Sequence, residues 1–365
     1  VTLFIQLHAL TSYPPSNPNR DDLGRPKTAT YGGQPRLRVS SQALKRAIRT
    51  HESFAAAMEG HLGERTQRLG EVILAHLRER GVAEARAVEI AREVGGAFAK
   101  IKPEKDANPA RTEQLAFVSP DERRFALELA DRLAGGEAAP KDKELKATVL
   151  RAADGAADIA MFGRMLADAP EFNREAAVQV SHALTTHRAQ IEDDYYTAVD
   201  DLKRPSEDMG AGFVGEAGFG SGVFYVYACI NRDLLVENLA GDAALADRAI
   251  EAFVNGFALA SPSGKKNSFA NHVRAEFLLC ERGDRQPRTL AGAFLRPVRA
   301  DRENEDLMTV SITALAKQRA AFESVYGRDW SADCWMNARA DDMSGVFAQG
   351  GVTLAEIAAF AARGA

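Results

Sequence analysis

Eight basic side chains fall between residues 11 and 50: Arg20, Arg25, Lys27, Arg36, Arg38, Lys45, Arg46 and Arg49. Only Asp21 and Asp22 oppose them, so this stretch carries +6. The whole chain of 365 residues carries −5, which leaves −11 for the remainder. A phosphate responds to charge within a Debye length of about 8 Å, so the local excess matters more than the total. The chemistry on offer is retention of a phosphodiester backbone, most simply a single strand of RNA. Ser40-Ser41 supplies a helix N-cap for a helix from Ser41 to about Arg49. At about 100° per residue, Leu44, Ala47 and Ile48 fall on one side. Gln42, Lys45, Arg46 and Arg49 fall on the other, with Arg38 just ahead of the cap. Free N–H groups and partial positive charge at the helix start would add to the grip. A basic nonamer alone reads equally well as a solvated helix face. The adjoining loop, rich in Arg, Lys and Gly, favours the phosphate.

Other groups with chemical potential are weaker. The pairs Asp21-Asp22, Asp200-Asp201 and Asp341-Asp342 could each start a Mg²⁺ site for phosphodiester cleavage. No third ligand stands at a recognisable spacing, and an ion pair from Asp21 to Arg20 or Arg25 is the plainer use. Tyr195-Tyr196, in a polar and acidic excursion, could stack on or wedge between bases, or one ring could pack inward. His182 and His187 are five apart and would leave a strand on opposite faces, so they are read as hydrogen-bonding residues rather than metal ligands. Gly163-Arg-Met165 places a glycine before a long cation at the end of an apolar run. Walker, GxGxxG, GxSxG and HExxH motifs do not occur, which favours a binding protein without cofactor or metal over an enzyme. Cys229, Cys280 and Cys334 are distant, odd in number and free of CxxC spacing, as in a reducing cytoplasm. No run of about 18 apolar residues could span a membrane, and the apolar start lacks the basic leader of a signal peptide.

These residues need elements to position them. Val1 to Leu10 reads as a first strand, and Arg36–Val39 as a short one. The long polar segment between them, Thr11 to Pro35, has the length of a functional loop. Residues 51–152 read as helices joined by turn-rich links, an insertion between strand-forming parts. Beyond 153, strands are expected at Ala157–Phe162, Ala177–Thr186, Gly222–Ile230 and His272–Leu279. Helices are expected near Ala243–Leu259, Glu305–Tyr326 and Thr353–Arg363, with a loop at Ser261-Pro-Ser-Gly-Lys-Lys-Asn267. Interleaved strands and helices around a helical insertion give an α+β fold.

Several collinear motifs carry a family resemblance. They are Asn19-Arg20-Asp21-Asp22, Tyr31-Gly32-Gly33 and Arg36-Leu-Arg-Val-Ser-Ser-Gln-Ala-Leu-Lys-Arg-Ala47. Further along come Asp158-Ile-Ala-Met-Phe-Gly-Arg-Met165, Val180-Ser-His-Ala-Leu-Thr-Thr-His187, Tyr196-Thr-Ala-Val-Asp-Asp-Leu202 and Ser221-Gly-Val-Phe-Tyr-Val-Tyr227. Together they resemble the backbone subunit of the type I-E CRISPR Cascade complex, the CasC family. The resemblance implies a modified RNA-recognition-motif (ferredoxin-like) palm, a helical finger insertion and a β-hairpin thumb. The palm would take residues 1–50 and 153–365, the fingers 51–152 and the thumb about 166–220. Such subunits polymerise head to tail along the guide RNA spacer, and each thumb displaces a nucleotide held by its neighbour. Partners would be the CRISPR RNA guide, target DNA, neighbouring copies and the other Cascade subunits: the large subunit, the small subunits and the guide-end caps.

The guide RNA would lie against Arg20, Lys27, Arg38, Ser40, Gln42, Lys45, Arg46, Arg49 and Arg164, with Met165, Tyr196 and Thr197 at the thumb, where the kink is made. Lys141, Lys143 and Lys146 would face target DNA, although Asp142 and Glu144 interrupt them. The protein would be cytoplasmic and non-catalytic. The alternatives are a metal-dependent endoribonuclease using Asp21 or Asp22, and a scaffold that binds only protein.

Overall fold

The computed structural model describes residues 2–198, 201, 213–301, 305–339, 347 and 351–364. Strand β1 (Phe4–Ser16) is followed by the hairpin of β2 (Thr28–Tyr31) and β3 (Gln34–Val39). Helices α1 (Ser41–Arg49) and α2 (Glu52–Ala57) lead to β4 (Glu64–Thr66). A helical body comes next: α3 (Leu69–Glu79), α4 (Glu84–Gly96), β5 (Ala116–Val118), α5 (Pro120–Ala134) and α6 (Asp142–Val149). Then come α7 (Ala157–Phe162), β6 (Val178–Val180), β7 (Ala183–Thr185), β8 (Glu192–Ala198) and β9 (Phe213–Asn231). Helices α8 (Arg232–Asn238), α9 (Ala243–Leu259) and α10 (Lys266–Phe269) precede β10 (Phe277–Gly283), α11 (Leu307–Tyr326), β11 (Ala332–Asn337) and α12 (Leu354–Ala362).

The main sheet runs β11-β10-β1-β9-β7-β3-β2, with β6 and β8 also paired to β9, and its described pairings are antiparallel. The α+β expectation therefore holds, with a large antiparallel sheet at the centre. Alternation along β1 divides its side chains between two cores. Ile5, Leu7 and Ala9 join Leu44, Ile48 and Phe253 beneath the helices of one face. Leu10 joins Tyr225, Phe277 and Ile312 under α11 on the other. The helical body closes its own core around Ile73, Ile90, Leu129 and Leu133. Strand β9 does two jobs. Its second half lies in the main sheet, and its first half pairs with β8 from Glu192↔Phe219 to Ala198↔Phe213. One continuous strand thus carries the hairpin arm out of the sheet.

Three local expectations differ from the fold. Ala157–Phe162 is a helix rather than a strand. Ala157 through Met161 are all buried, Asp158 included, so the run shows no exposed face, and a short buried run fits either period. Strand β10 starts at Phe277 and not at 272, because Ala275 donates to the Ala258 carbonyl instead of entering the ladder. The hairpin arm begins only at Glu192; residues 166–191 hold a 3₁₀ turn and the main-sheet strands β6 and β7. Cys280 and Cys334, distant in sequence, are register partners on β10 and β11.

Candidate nucleic-acid interface

The loop between β1 and β2 is fixed by its polar residues. Asp21 Oδ1 accepts the backbone N–H groups of Leu23 at 3.0 Å and Arg25 at 2.9 Å. The Asn17 amide donates to the carbonyls of Gly24 and Gly218, at 3.0 and 2.9 Å. Asn19 Oδ1 accepts the N–H of Ser40 at 2.8 Å, which ties the loop to the start of α1. Arg20 is thereby presented, exposed, beside the helix. Asp21 does not pair with Arg20 or Arg25 as expected, for its job is to hold the turn. Arg25 pairs instead with Asp193 of the hairpin arm, at 2.9 Å.

Helix α1 forms where Ser40 caps it, its Oγ accepting the Ala43 N–H at 3.3 Å. Leu44 and Ile48 are buried, and Ile48 packs on Gly256 of α9, where an added Cβ would lie 2.9 Å from it. The helix start is less open to an anion than its sequence implies. The Ser41 N–H donates to His182 Nδ1 at 3.0 Å and that of Ala43 is taken by the cap. Ser40 itself is buried, so its role is the cap. Attraction for phosphate therefore rests on side chains. Gln42 and Arg46 are exposed, while Lys45 and Arg49 are half-buried.

The basic residues of α1 look two ways. Arg46 lines a polar cavity of about 840 Å³ together with Arg20, Lys266 and the loop residues Ser263 and Gly264. Lys45 faces Arg65 on β4, and burial followed by that neighbouring charge lowers its pKa. Arg49 is a strut more than a free contact. Its Nη1 donates to Asp158 Oδ2 at 3.2 Å, and its guanidinium lies 5.3 Å from the Phe117 ring centre. Asp158 is fully buried and accepts the Gly63 N–H at 2.8 Å; burial raises its carboxyl above the usual range.

Lys27 and Arg38 sit together at the β2–β3 end. Arg38 approaches His182 Nδ1 at 3.5 Å, and burial, then Arg38 and Lys27, lower the His182 pKa. The imidazole is thus kept neutral as the acceptor for Ser41. Arg36, one of the eight cations, is wholly buried and donates to the carbonyls of Thr185 at 2.8 Å and Phe294 at 2.7 Å.

Arg164 departs from its expected role as an RNA contact. Its side chain is 1% exposed, 2.5 Å from Glu122 Oε2, and also donates to the Phe117, Arg151 and Phe172 carbonyls. A cation so enclosed presents no exposed donor to RNA. Met165, next in sequence, is 84% exposed. Tyr196 and Thr197 leave β8 on opposite faces, as strand neighbours must. Tyr196 lies over its cross-strand partner Gly215, where an added Cβ would meet the ring at 2.4 Å. The ring borders a second cavity, of about 450 Å³, with Arg20, Arg25 and Lys265. In the helical body Lys141 and Lys143 are exposed at the start of α6, and Lys146 donates to the Asp168 carbonyl at 2.7 Å.

Three cations missed by sequence reasoning belong to this surface: Arg65, Lys265 and Lys266. The glycine of Ser263-Gly-Lys-Lys266 was a usable signal, because Gly264 touches the Pro18 carbonyl across more than two hundred residues of chain. Of the acidic pairs, Asp200, Asp341 and Asp342 lie outside the described residues. Among the described residues no group of three or more His, Cys, Asp or Glu could hold a metal, and no helix is long and apolar enough to cross a membrane.

The profile of the CT1975-like protein family matches residues 5–359. A solved chain of a "CRISPR RNA-guided surveillance complex, pre-nicking" is similar with a TM-score of 0.84 and 30% identity, over 98% of this chain and 99% of that one. A chain of a second "CRISPR RNA-guided surveillance complex" is similar at 0.74 and 27%, over 98% and 99%. No curated protein matches.

Proposed function

The chain belongs to the CT1975-like protein family, and from that premise we propose that it is a guide-RNA-binding subunit of a Cascade-type CRISPR surveillance complex. The observation that carries this is the joining of Arg20, Arg46 and Lys266 around one polar cavity beside the capped helix α1. Such a surface grips phosphate and leaves base edges unread, as suits a protein whose guide does the sequence reading.

Within that reading the chain is the backbone subunit of the type I-E complex. The central antiparallel sheet with the helices packed against it is its modified RNA-recognition-motif palm, the helical body its fingers and the β8–β9 arm its thumb. Copies stack head to tail along the spacer, an arrangement that needs a heterologous interface between unlike surfaces. Tyr196, seated on Gly215, and exposed Met165 serve the displaced nucleotide. Lys141 and Lys143 extend toward target DNA. The subunit works in the cytoplasm and without catalysis. The engagement of Asp21 by two backbone N–H groups supports the non-catalytic reading over an endoribonuclease.

The test is co-expression of the chain with a CRISPR transcript and the remaining subunits. The expected outcome is recovery of particles holding several copies and one short RNA of uniform length. Particles with a single copy, or copies assembled without RNA, would contradict the proposal.

A further inference from the structure

The Arg20 loop divides two cavities. The larger holds Arg46 and Lys266, the smaller holds Tyr196 and Lys265, and both touch Arg20 and Gly24. Two consecutive lysines therefore serve opposite sides of one divider. The backbone explains how. Lys265 adopts φ 49°, ψ 24°, the left-handed region that L side chains rarely take. At that turn the loop comes back against the Arg20 loop. Gly264 makes that return contact, since a Cβ there would stand 2.3 Å from the Pro18 carbonyl oxygen. Neither lysine side chain has a hydrogen bond or ion pair with a described residue.

Charge makes the lysines consequential. Across the two cavities Arg20, Arg25 and Arg46 meet Asp21, Asp22, Glu52, Asp193 and Glu216. Without Lys265 and Lys266 the lining would repel a polyanion; with them it is balanced. Arg25 is committed to Asp193, so Arg20, Arg46, Lys265 and Lys266 are the cations that remain for phosphate, beside the carboxylates of Asp21, Asp22, Glu52 and Glu216.

Building on the reading of this surface as an RNA cradle, we infer that Lys265 and Lys266 form a clasp on two phosphates of a single RNA strand, one on each side of Arg20. Lys266 completes the grip that Arg46 begins. Lys265 holds the backbone where it reaches Tyr196, so the clasp fixes the position of the strand beside the hairpin arm.

The experiment measures binding of a mixed-sequence single-stranded RNA to the full chain across a salt series. Lys265→Ala and Lys266→Ala are each expected to weaken binding several-fold and to lower the slope of log K against log salt by about 0.7. The double variant should lose about 1.4, with an unchanged melting temperature, and Lys266→Arg should recover the slope. If the double variant binds with wild-type affinity and slope while Arg20→Ala with Arg46→Ala binds poorly, the clasp is refuted and the cradle stands. If none of these variants alters binding, the cradle reading falls and takes the clasp with it.

Discussion

Replacement of Arg164 by methionine distinguishes a structural cation from an RNA contact. Arg164 reaches across the base of the helical body. It pairs with Glu122 of α5, which is itself fully buried and accepts the N–H groups of Ser119 at 3.0 Å and Arg151 at 2.9 Å. Methionine fills much of the space but strands the carboxylate and three carbonyls. Removal of one member of a buried pair costs about 3–5 kcal/mol. The double variant Arg164→Met with Glu122→Gln should recover part of that loss, since the isolated charge is gone. Urea unfolding followed by circular dichroism reads the cost, and RNA titration of the folded variant reads the function. Stability should fall by that amount while RNA affinity stays within twofold. Unchanged stability with lost RNA affinity would refute this assignment and make Arg164 an RNA contact.

Three further outcomes follow from the geometry. Asp21→Ala with Asp22→Ala should loosen the Arg20 loop and weaken RNA binding, with no change in RNA integrity in the presence of Mg²⁺; a wild-type cleavage activity that this variant abolishes would instead establish the nuclease. Gly32→Ala should destabilise the fold by more than the roughly 1 kcal/mol cost of the left-handed region, because φ is +59° and the Cβ would lie 1.7 Å from the Leu295 carbonyl oxygen; thermal melting checks it. His182 has its pKa lowered in the folded chain, so its contribution to stability is present above the ordinary 6.5 and lost as pH falls through the folded value. A histidine NMR titration should place His182 below 6.5, and bound RNA should raise it by adding negative charge nearby.

Legibility in the sequence followed the physical signal each element carries. Helix α1 was readable because its cap, its apolar face and its charges repeat at helical spacing, and α9 was bounded correctly by its length and period. The helix at Ala157–Phe162 was not, since burial on all sides erases the period that separates helix from strand. Charge sign was readable but destination was not. Arg36, Arg49 and Arg164 look as basic in sequence as Arg20 and Arg46, yet the fold spends them on carbonyls and buried carboxylates. Lys265 and Lys266 had the opposite fate. Their loop reads locally as a connector, and only the contact of Gly264 with Pro18 brings them to Arg20.

The most direct test of the account is the salt dependence of RNA binding by the full chain, measured on several unrelated single-stranded sequences of equal length. The account predicts one common, steep slope for all of them, and a shallower slope shared by all of them in Arg20→Ala with Arg46→Ala. A slope that differs among sequences, or one that this variant leaves unchanged, would contradict it.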